Sequence, residues 1–223
     1  EKLTQLKDLF LSDNQLTDVK GLEKLTQLAG LDLNNNKLTN VTGLKNLTQL
    51  RTLWLNSNQL TDVKGLENLT ELTSLDLSAS PQFTFKVLGK LNQLTSLWLG
   101  YNQLSEVPKD LENLTKLKTL HLHNNKLTNV TGLEKLTQLS NLNLESNKLT
   151  EVPEGLEKLT QLTELSLSEN QLTDLKGLEK LTQLERLLLH DNHLTKAQIA
   201  ELQKELPKCK IYYIPKLSNY SSP

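Results

Sequence analysis

The chain has 223 residues, with 25 basic and 26 acidic side chains interleaved along it and a net charge of −1. That balance lacks the basic footprint of a nucleic-acid binder, no apolar run is long enough to cross a membrane, and no targeting signal opens the chain. A single cysteine, Cys209, excludes an intramolecular disulfide framework and a zinc site built from cysteines. Aromatics make up 4 % and methionine is absent, so leucine must build the core.

From its first residues the chain repeats itself: SDNQLTDVKGLEKLTQL, NNNKLTNVTGLKNLTQL, NSNQLTDVKGLENLTEL. Aligned on LxxLxLxxNxL, the first leucine recurs at Leu6, Leu28, Leu50, Leu72, Leu94, Leu117, Leu139, Leu162 and Leu184. The step is 22 residues except for two of 23, which carry the prolines of EVPKDL (Pro108) and EVPEGL (Pro153). Nine repeats result, preceded by EKLTQL, which matches the tail of another. A fixed period of this length marks an array of small stacked units.

Within each repeat the leucines at positions 4 and 6 alternate with variable residues, the period of a strand with one buried face. Beyond the asparagine the apolar residues fall every third position, as in Leu16, Val19, Leu22, Leu25 and Leu28, which predicts short 3₁₀ turns rather than a long helix. The asparagines (Asn14, Asn36, Asn58, Asn102, Asn125, Asn147, Asn170, Asn192) fall where strand becomes loop, and their amides are expected to satisfy backbone groups the loop leaves unpaired. About seven aliphatic side chains per repeat face inward, each contributing roughly 1.5–3 kcal/mol when fully buried. One repeat cannot bury them alone, but stacked neighbours can.

The chain therefore resembles a leucine-rich repeat protein over residues 1–194. Its 22-residue units are similar to those of bacterial internalin-like proteins and of the eukaryotic phosphatase-regulator type; its proline-containing units resemble the 23-residue repeats of bacterial members. The resemblance implies an α/β repeat solenoid: a right-handed horseshoe with a concave parallel β-sheet and 3₁₀ turns or loops on the convex face.

The fourth repeat breaks the pattern where NQLTDV is due, writing SPQFTF instead. Ser80 replaces the asparagine, and Pro81 and Phe83 are expected to shape the rim of a binding site, with simple sequence drift as the alternative. At the C-terminal end, Thr195 and Gln198 have capping-box spacing, Ile199, Leu202 and Leu206 share a helical face, and Pro207 stops the helix. Residues 195–213 are thus expected to form a cap, a helix over 195–206 and a strand over Lys210–Tyr213, with 214–223 as a tail. The ending also resembles the LPxCKI closure of bacterial members. The first repeat carries no such polar cap, so this end is expected to stack on another domain or another copy of the chain.

Fixed positions fold a repeat array, and variable positions meet its partner. Position 5 reads Phe10, Asp32, Trp54, Asp76, Trp98, His121, Asn143, Ser166, Leu188; position 7 includes His123 and Glu145, and position 8 Tyr101. Both tryptophans and three of the four histidines fall in this outward set, while the convex positions stay monotonous, and their periodic acids read as a solvated face. Exposed Trp and Tyr are the side chains of interface hot spots. A patch centred on Trp54, Asp76, Trp98, Tyr101, His121 and His123, extended by Phe10, Asp32 and Glu145, is the expected partner-binding site. Asp76 between two tryptophans suits an Arg or Lys held between aromatic faces. The alternative is that these aromatics merely shield neighbouring strands.

His121-x-His123 places two imidazoles on one side of a strand, where Glu145 is the only nearby third ligand for a metal; no metal or other cofactor is assigned. No nucleophile elbow, phosphate loop or HExxH motif occurs, and Cys209, after the closing proline, reads as part of a buried cap. The expected function is a non-enzymatic module binding a protein or peptide on its concave face. A structural subunit associating end to end is the alternative. An engineered consensus scaffold would explain the uniform repeats, but the irregular fourth repeat and the idiosyncratic tail argue against it.

Overall fold

The residues around the position-4 leucine form a three-residue strand because alternation turns that central leucine inward and leaves its two neighbours outward. In the computed structural model, which describes residues 3–80 and 86–216, ten such strands appear: β1 (Asp8–Phe10), β2 (Gly30–Asp32), β3 (Thr52–Trp54), β4 (Ser74–Asp76), β5 (Ser96–Trp98), β6 (Thr119–His121), β7 (Asn141–Asn143), β8 (Glu164–Ser166), β9 (Arg186–Leu188) and β10 (Lys210–Tyr212). They pair in sequence order as one parallel sheet. Register is in phase throughout, so Leu9, Leu31, Leu53, Leu75 and Leu97 align as one inward row, continued by Leu120, Leu142, Leu165, Leu187 and Ile211. From Leu31 to Leu187 these side chains are at most 2 % exposed.

The predicted three-residue spacing has a direct cause. Leu22 N–H donates to Val19 O, Leu25 N–H to Leu22 O and Leu28 N–H to Leu25 O, at 3.1, 2.9 and 3.0 Å, so consecutive 3₁₀-type bonds bring each third residue back to the core. The consensus dipeptide before these turns is also explained. Gly21, Gly65, Gly132, Gly155 and Gly177 adopt φ between 89° and 101°, where a side chain is strained. The N–H of each donates to the glutamate two residues on: Glu23, Glu67, Glu134, Glu157 and Glu179. These convex acids are therefore more than the solvated face expected for them; they close the turn. Glu23 is held below the usual carboxylate range by its backbone hydrogen bonds.

The asparagines form a second ladder, inside the corner where strand becomes loop. Asn58 Nδ2 donates to the carbonyls of Leu33 and Leu55 at 3.0 Å each, and its Oδ1 accepts from Leu38 N–H at 3.0 Å. Asn147 repeats this arrangement with Leu122, Leu144 and Leu127. Each amide thus ties its own repeat to the one before. Asn14 donates only within its own turn, to Leu11 and Ser12, and Ser80 lacks an amide to give.

At the C-terminal end, helix α1 (Lys196–Glu205) begins with the expected capping box: Gln198 N–H donates to Thr195 Oγ1 at 3.2 Å, and Thr195 N–H to Gln198 Oε1 at 2.9 Å. Leu202, Leu206 and Cys209 are buried, and burial pushes the Cys209 thiol up, away from the reactive thiolate. The last strand ends at Tyr212, one residue short of expectation, because Tyr213 turns away and its hydroxyl donates to Leu194 O.

Candidate functional site

Because the register never slips, position 5 becomes one straight row across the sheet. Phe10, Asp32, Trp54, Asp76, Trp98, His121, Asn143, Ser166 and Leu188 are direct neighbours, one per strand, and Tyr212 on β10 completes the row. Phe10, Trp54 and Tyr101 are exposed at 69, 38 and 55 %, while Trp98, His121 and His123 are half-buried. The row alternates aromatic and carboxylate over its first five members.

Two parts of the expected patch have different geometry. Around Phe10, Asp32 and Trp54 the sheet carries a recess of about 330 Å³, floored by Gly30 and edged by Asp8 and Arg51. From Trp98 onward four rings touch in a chain: Trp98 meets His121 edge-on at 5.9 Å, His121 meets His123 at 6.0 Å, and His123 meets Tyr101 at 5.3 Å and 90°. Such edge-to-face contacts hold rings in place beyond their area burial. Asp76 lies between the two parts; its Oδ1 accepts the Ser78 N–H at 2.8 Å, just as Asp32 Oδ1 accepts the Asn34 N–H at 2.9 Å. In each carboxylate the second oxygen accepts no hydrogen bond among the described residues.

Gly100 is required by the ring chain. A Cβ there would meet the His123 ring at 2.5 Å, closer than side chains tolerate, so the imidazole lies directly on the Gly100 backbone. Tyr101 follows at φ 56°, an uncommon conformation for a bulky residue. It shares this left-handed corner with Asp13, Asn35, Ser57, Asn124 and Ser146 at the same place in other repeats, residues better suited to it. Burial, then repulsion from His123, lowers the His121 pKa, and burial lowers that of His123. Both imidazoles are therefore neutral near pH 7. His123 Nδ1 is also buried without a hydrogen-bonding partner.

Glu145 accepts from Ser166 Oγ at 3.3 Å, one repeat beyond His123, and belongs to a polar recess of about 190 Å³ with His121, Asn141, Glu164 and Arg186. There Asn141 donates to Glu164 at 2.7 Å, Arg186 pairs with Glu164 at 3.4 Å, and the Arg186 guanidinium lies 5.9 Å over the Tyr212 ring. Among the described residues no three His, Cys, Asp or Glu side chains are grouped to hold a metal ion, and no helix is long and apolar enough to cross a membrane. Pro81 and Phe83 lie outside the described residues. Two participants escaped the sequence reading: Arg51, at a position not counted as outward, and Tyr212, beyond the last repeat. Ile211, apolar between Lys210 and Tyr212 as the central leucine is in each repeat strand, is the signal that finds the second.

The family description "Leucine Rich repeats (2 copies)" matches residues 4–46, 48–90 and 92–135, and "Leucine rich repeat" matches 137–194. No curated protein matches the chain. Among solved structures it is similar to internalin C2 of Listeria monocytogenes (31 % identity, 86 % of this chain, 82 % of that one, TM-score 0.77). It is also similar to a leucine-rich repeat protein of Leptospira interrogans (34 % identity, 94 % of this chain, TM-score 0.77), of which it spans 62 %. A plant peptide hormone receptor, RGFR1 in complex with RGF2, is similar at 25 % identity over 95 % of this chain and 37 % of the receptor, TM-score 0.72. The chain belongs to the leucine-rich repeat family, in its bacterial internalin-like form, a typically non-catalytic class of protein-binding module.

Proposed function

We propose that the chain binds a protein or peptide on its concave face, through a patch centred on Trp54, Asp76, Trp98, Tyr101, His121 and His123 and flanked by Phe10, Asp32 and Glu145. The observation that carries this reading is the position-5 row. Its first five members set three large aromatics beside two carboxylates on a sheet face that no part of the described chain covers. Phe10 and Trp54 exposed, with Trp98 half-buried beside them, serve no need of the core, which the inward leucines already complete. The similarity to a plant peptide hormone receptor in complex with RGF2 supports the same use of the fold. The Trp54→Ala/Trp98→Ala double variant should lose capture of the partner at least about a hundredfold while keeping its circular dichroism and melting temperature. The convex control Lys24→Ala/Lys180→Ala should retain capture. Equal capture by wild type and the tryptophan variant would move the site elsewhere.

One observation favours a second reading, end-to-end association. Leu6, Leu9, Leu11, Leu16, Leu22 and Leu25 are only partly buried, whereas their equivalents one repeat later, Leu28, Leu31, Leu33, Leu38, Leu44 and Leu47, are at most 2 % exposed. A second copy stacked on this end would cover that apolar surface. Light scattering at two concentrations should then show a mass rising above 25.2 kDa; a monomer across the range overturns it.

A further inference from the structure

The proposed binding face carries more than a general affinity for protein. In the first five repeats, positions 3, 5 and 7 comprise fifteen residues, two of them glycine (Gly30, Gly100), and among them are three acids (Asp8, Asp32, Asp76) and no lysine or arginine. Arg51, one position earlier in its repeat, edges the Asp32 recess and reduces this acidic excess without removing it. His121 and His123, the nearest imidazoles to Asp76, are neutral at pH 7 because both are partly buried. The surface left is acidic at two points of one row, and each point has an aromatic ring on both sides: Phe10 and Trp54 beside Asp32, Trp54 and Trp98 beside Asp76. A carboxylate between two ring faces is complementary to a Lys or Arg side chain, which gains an ion pair and cation–π contacts together.

The spacing of the two carboxylates selects the shape of the ligand. Asp32 and Asp76 are two strands apart, about 9.6 Å at the usual inter-strand distance. A ligand in extended β conformation repeats its same-side chains every two residues, about 6.7 Å, and then about 13 Å, so it matches neither. A polyproline II helix has three residues per turn and rises about 3.1 Å per residue, which brings residues i and i+3 to the same side about 9.3 Å apart. That conformation is already populated before binding and docks readily in aromatic-lined grooves.

We propose that the concave face recognises a peptide segment in polyproline II conformation, lying across strands β2–β4, with two cationic side chains at i and i+3 held by Asp32 and Asp76 between the rings of Phe10, Trp54 and Trp98. The proposal rests on the concave-face reading above and gives it a ligand chemistry. The ring chain that starts at Trp98 borders the far side of this segment's path, so a third cation at i+6 finds His121 instead of a carboxylate.

A random peptide library displayed on phage and selected against the intact chain tests both levels at once, with Trp54→Ala/Trp98→Ala and Asp32→Asn/Asp76→Asn as parallel baits, each checked by its melting curve. The expected result is enrichment of Arg or Lys pairs at i and i+3 with proline between or beside them, lost on either double variant. For a synthetic peptide of that form, tryptophan fluorescence should show each single Asp→Asn change weakening binding at least about fivefold. Moving the second cation to i+2, or replacing both by glutamine, should cost about tenfold or more by the same readout. Tryptophan-dependent peptides without paired cations, or with pairs at i and i+2, overturn the ligand assignment and leave the concave site standing. Selected peptides indifferent to the tryptophans overturn both.

Discussion

The two halves of the concave sheet have the same inside and different outsides. Strands β2–β5 and β6–β9 bury the same leucine row, and asparagine ladders run through both halves, broken in the first at Ser80. Outward, the first half sets Phe10, Trp54 and Trp98 beside Asp32 and Asp76, with no base among its strand positions. The second half presents His121, Asn143, Ser166 and Leu188, and its acids have partners: Glu164 is held by Asn141 and Arg186, and Glu145 by Ser166. Acids with side-chain partners stabilise the chain itself, whereas Asp32 and Asp76 bond only a backbone N–H of their own turn. On the proposed reading, recognition and folding use different sides of the same strands, and the first half supplies the charge for recognition.

If the halves share one scaffold, damage to the inward row must cost the same in both. Leu53 and Leu165 occupy equivalent sites on β3 and β8 and are both fully buried. Leu53→Ala and Leu165→Ala should each destabilise the chain by about 2–5 kcal/mol, read from the urea midpoint, and the two values should agree to within about 1 kcal/mol. Leu9→Ala, at the partly buried edge strand, should cost less than half as much. A wide gap between Leu53 and Leu165 would mean that the halves fold as different structures, and the comparison above would fail.

The shared inside is also what the sequence makes legible. A side chain recurring at fixed period reports its own environment, so the strands, the 3₁₀ turns, the asparagine corner and the Thr195 capping box could all be read from spacing. Contacts between repeats are less legible, because they depend on how a side chain turns rather than where it is. His123 resting on Gly100, 23 residues earlier, leaves no trace in either repeat alone. Arg51 reaches the Asp32 recess from position 2, just ahead of the strand, where the alternation of the strand itself gives no signal. The periodicity of the convex glutamates alone marks a solvated face, because it is their pairing with the glycine two residues back that gives them a structural role. Even the row itself was legible only as far as the repeats ran, which is why Tyr212 was missed.

A smaller effect probes the junction between the halves. Gly100→Ala sets a methyl carbon about 2.5 Å from the His123 ring, and the imidazole must swing off the backbone. The expected cost is about 1–3 kcal/mol, with loss of the upfield ring-current shifts that Tyr101 and His123 impose on each other. Ser168→Ala, at the same repeat position in the second half, should cost under about 1 kcal/mol and shift no aromatic resonance. An unchanged aromatic spectrum in the Gly100 variant would mean that the four-ring chain does not hold the concave face in shape.

The smallest expected effect is the dependence on pH, and its sign follows from the same rings. His121 and His123 titrate below the ordinary value of 6.5 when folded, chiefly because burial penalises the charged form. The unfolded chain therefore takes up these protons first as pH falls. Their contribution is fully present above about pH 6.5 and is lost progressively as pH drops from there through the lower folded values. Asp76, Glu145 and Glu164 face the pair and favour its protonation, Arg186 lines the same recess with the opposite sign, and the result is a shallow decline. The urea midpoint should fall between pH 6.5 and 5, before the carboxylates titrate, by less than either buried leucine change costs. His121→Gln/His123→Gln should flatten that decline while leaving the alkaline plateau in place. A cationic peptide should weaken over the same interval, since protonated imidazoles beside Asp76 would compete with it for the carboxylate. Should stability hold level while peptide binding falls, the imidazoles must protonate without unfolding cost, and their neutrality would be a property of the empty site rather than of the fold.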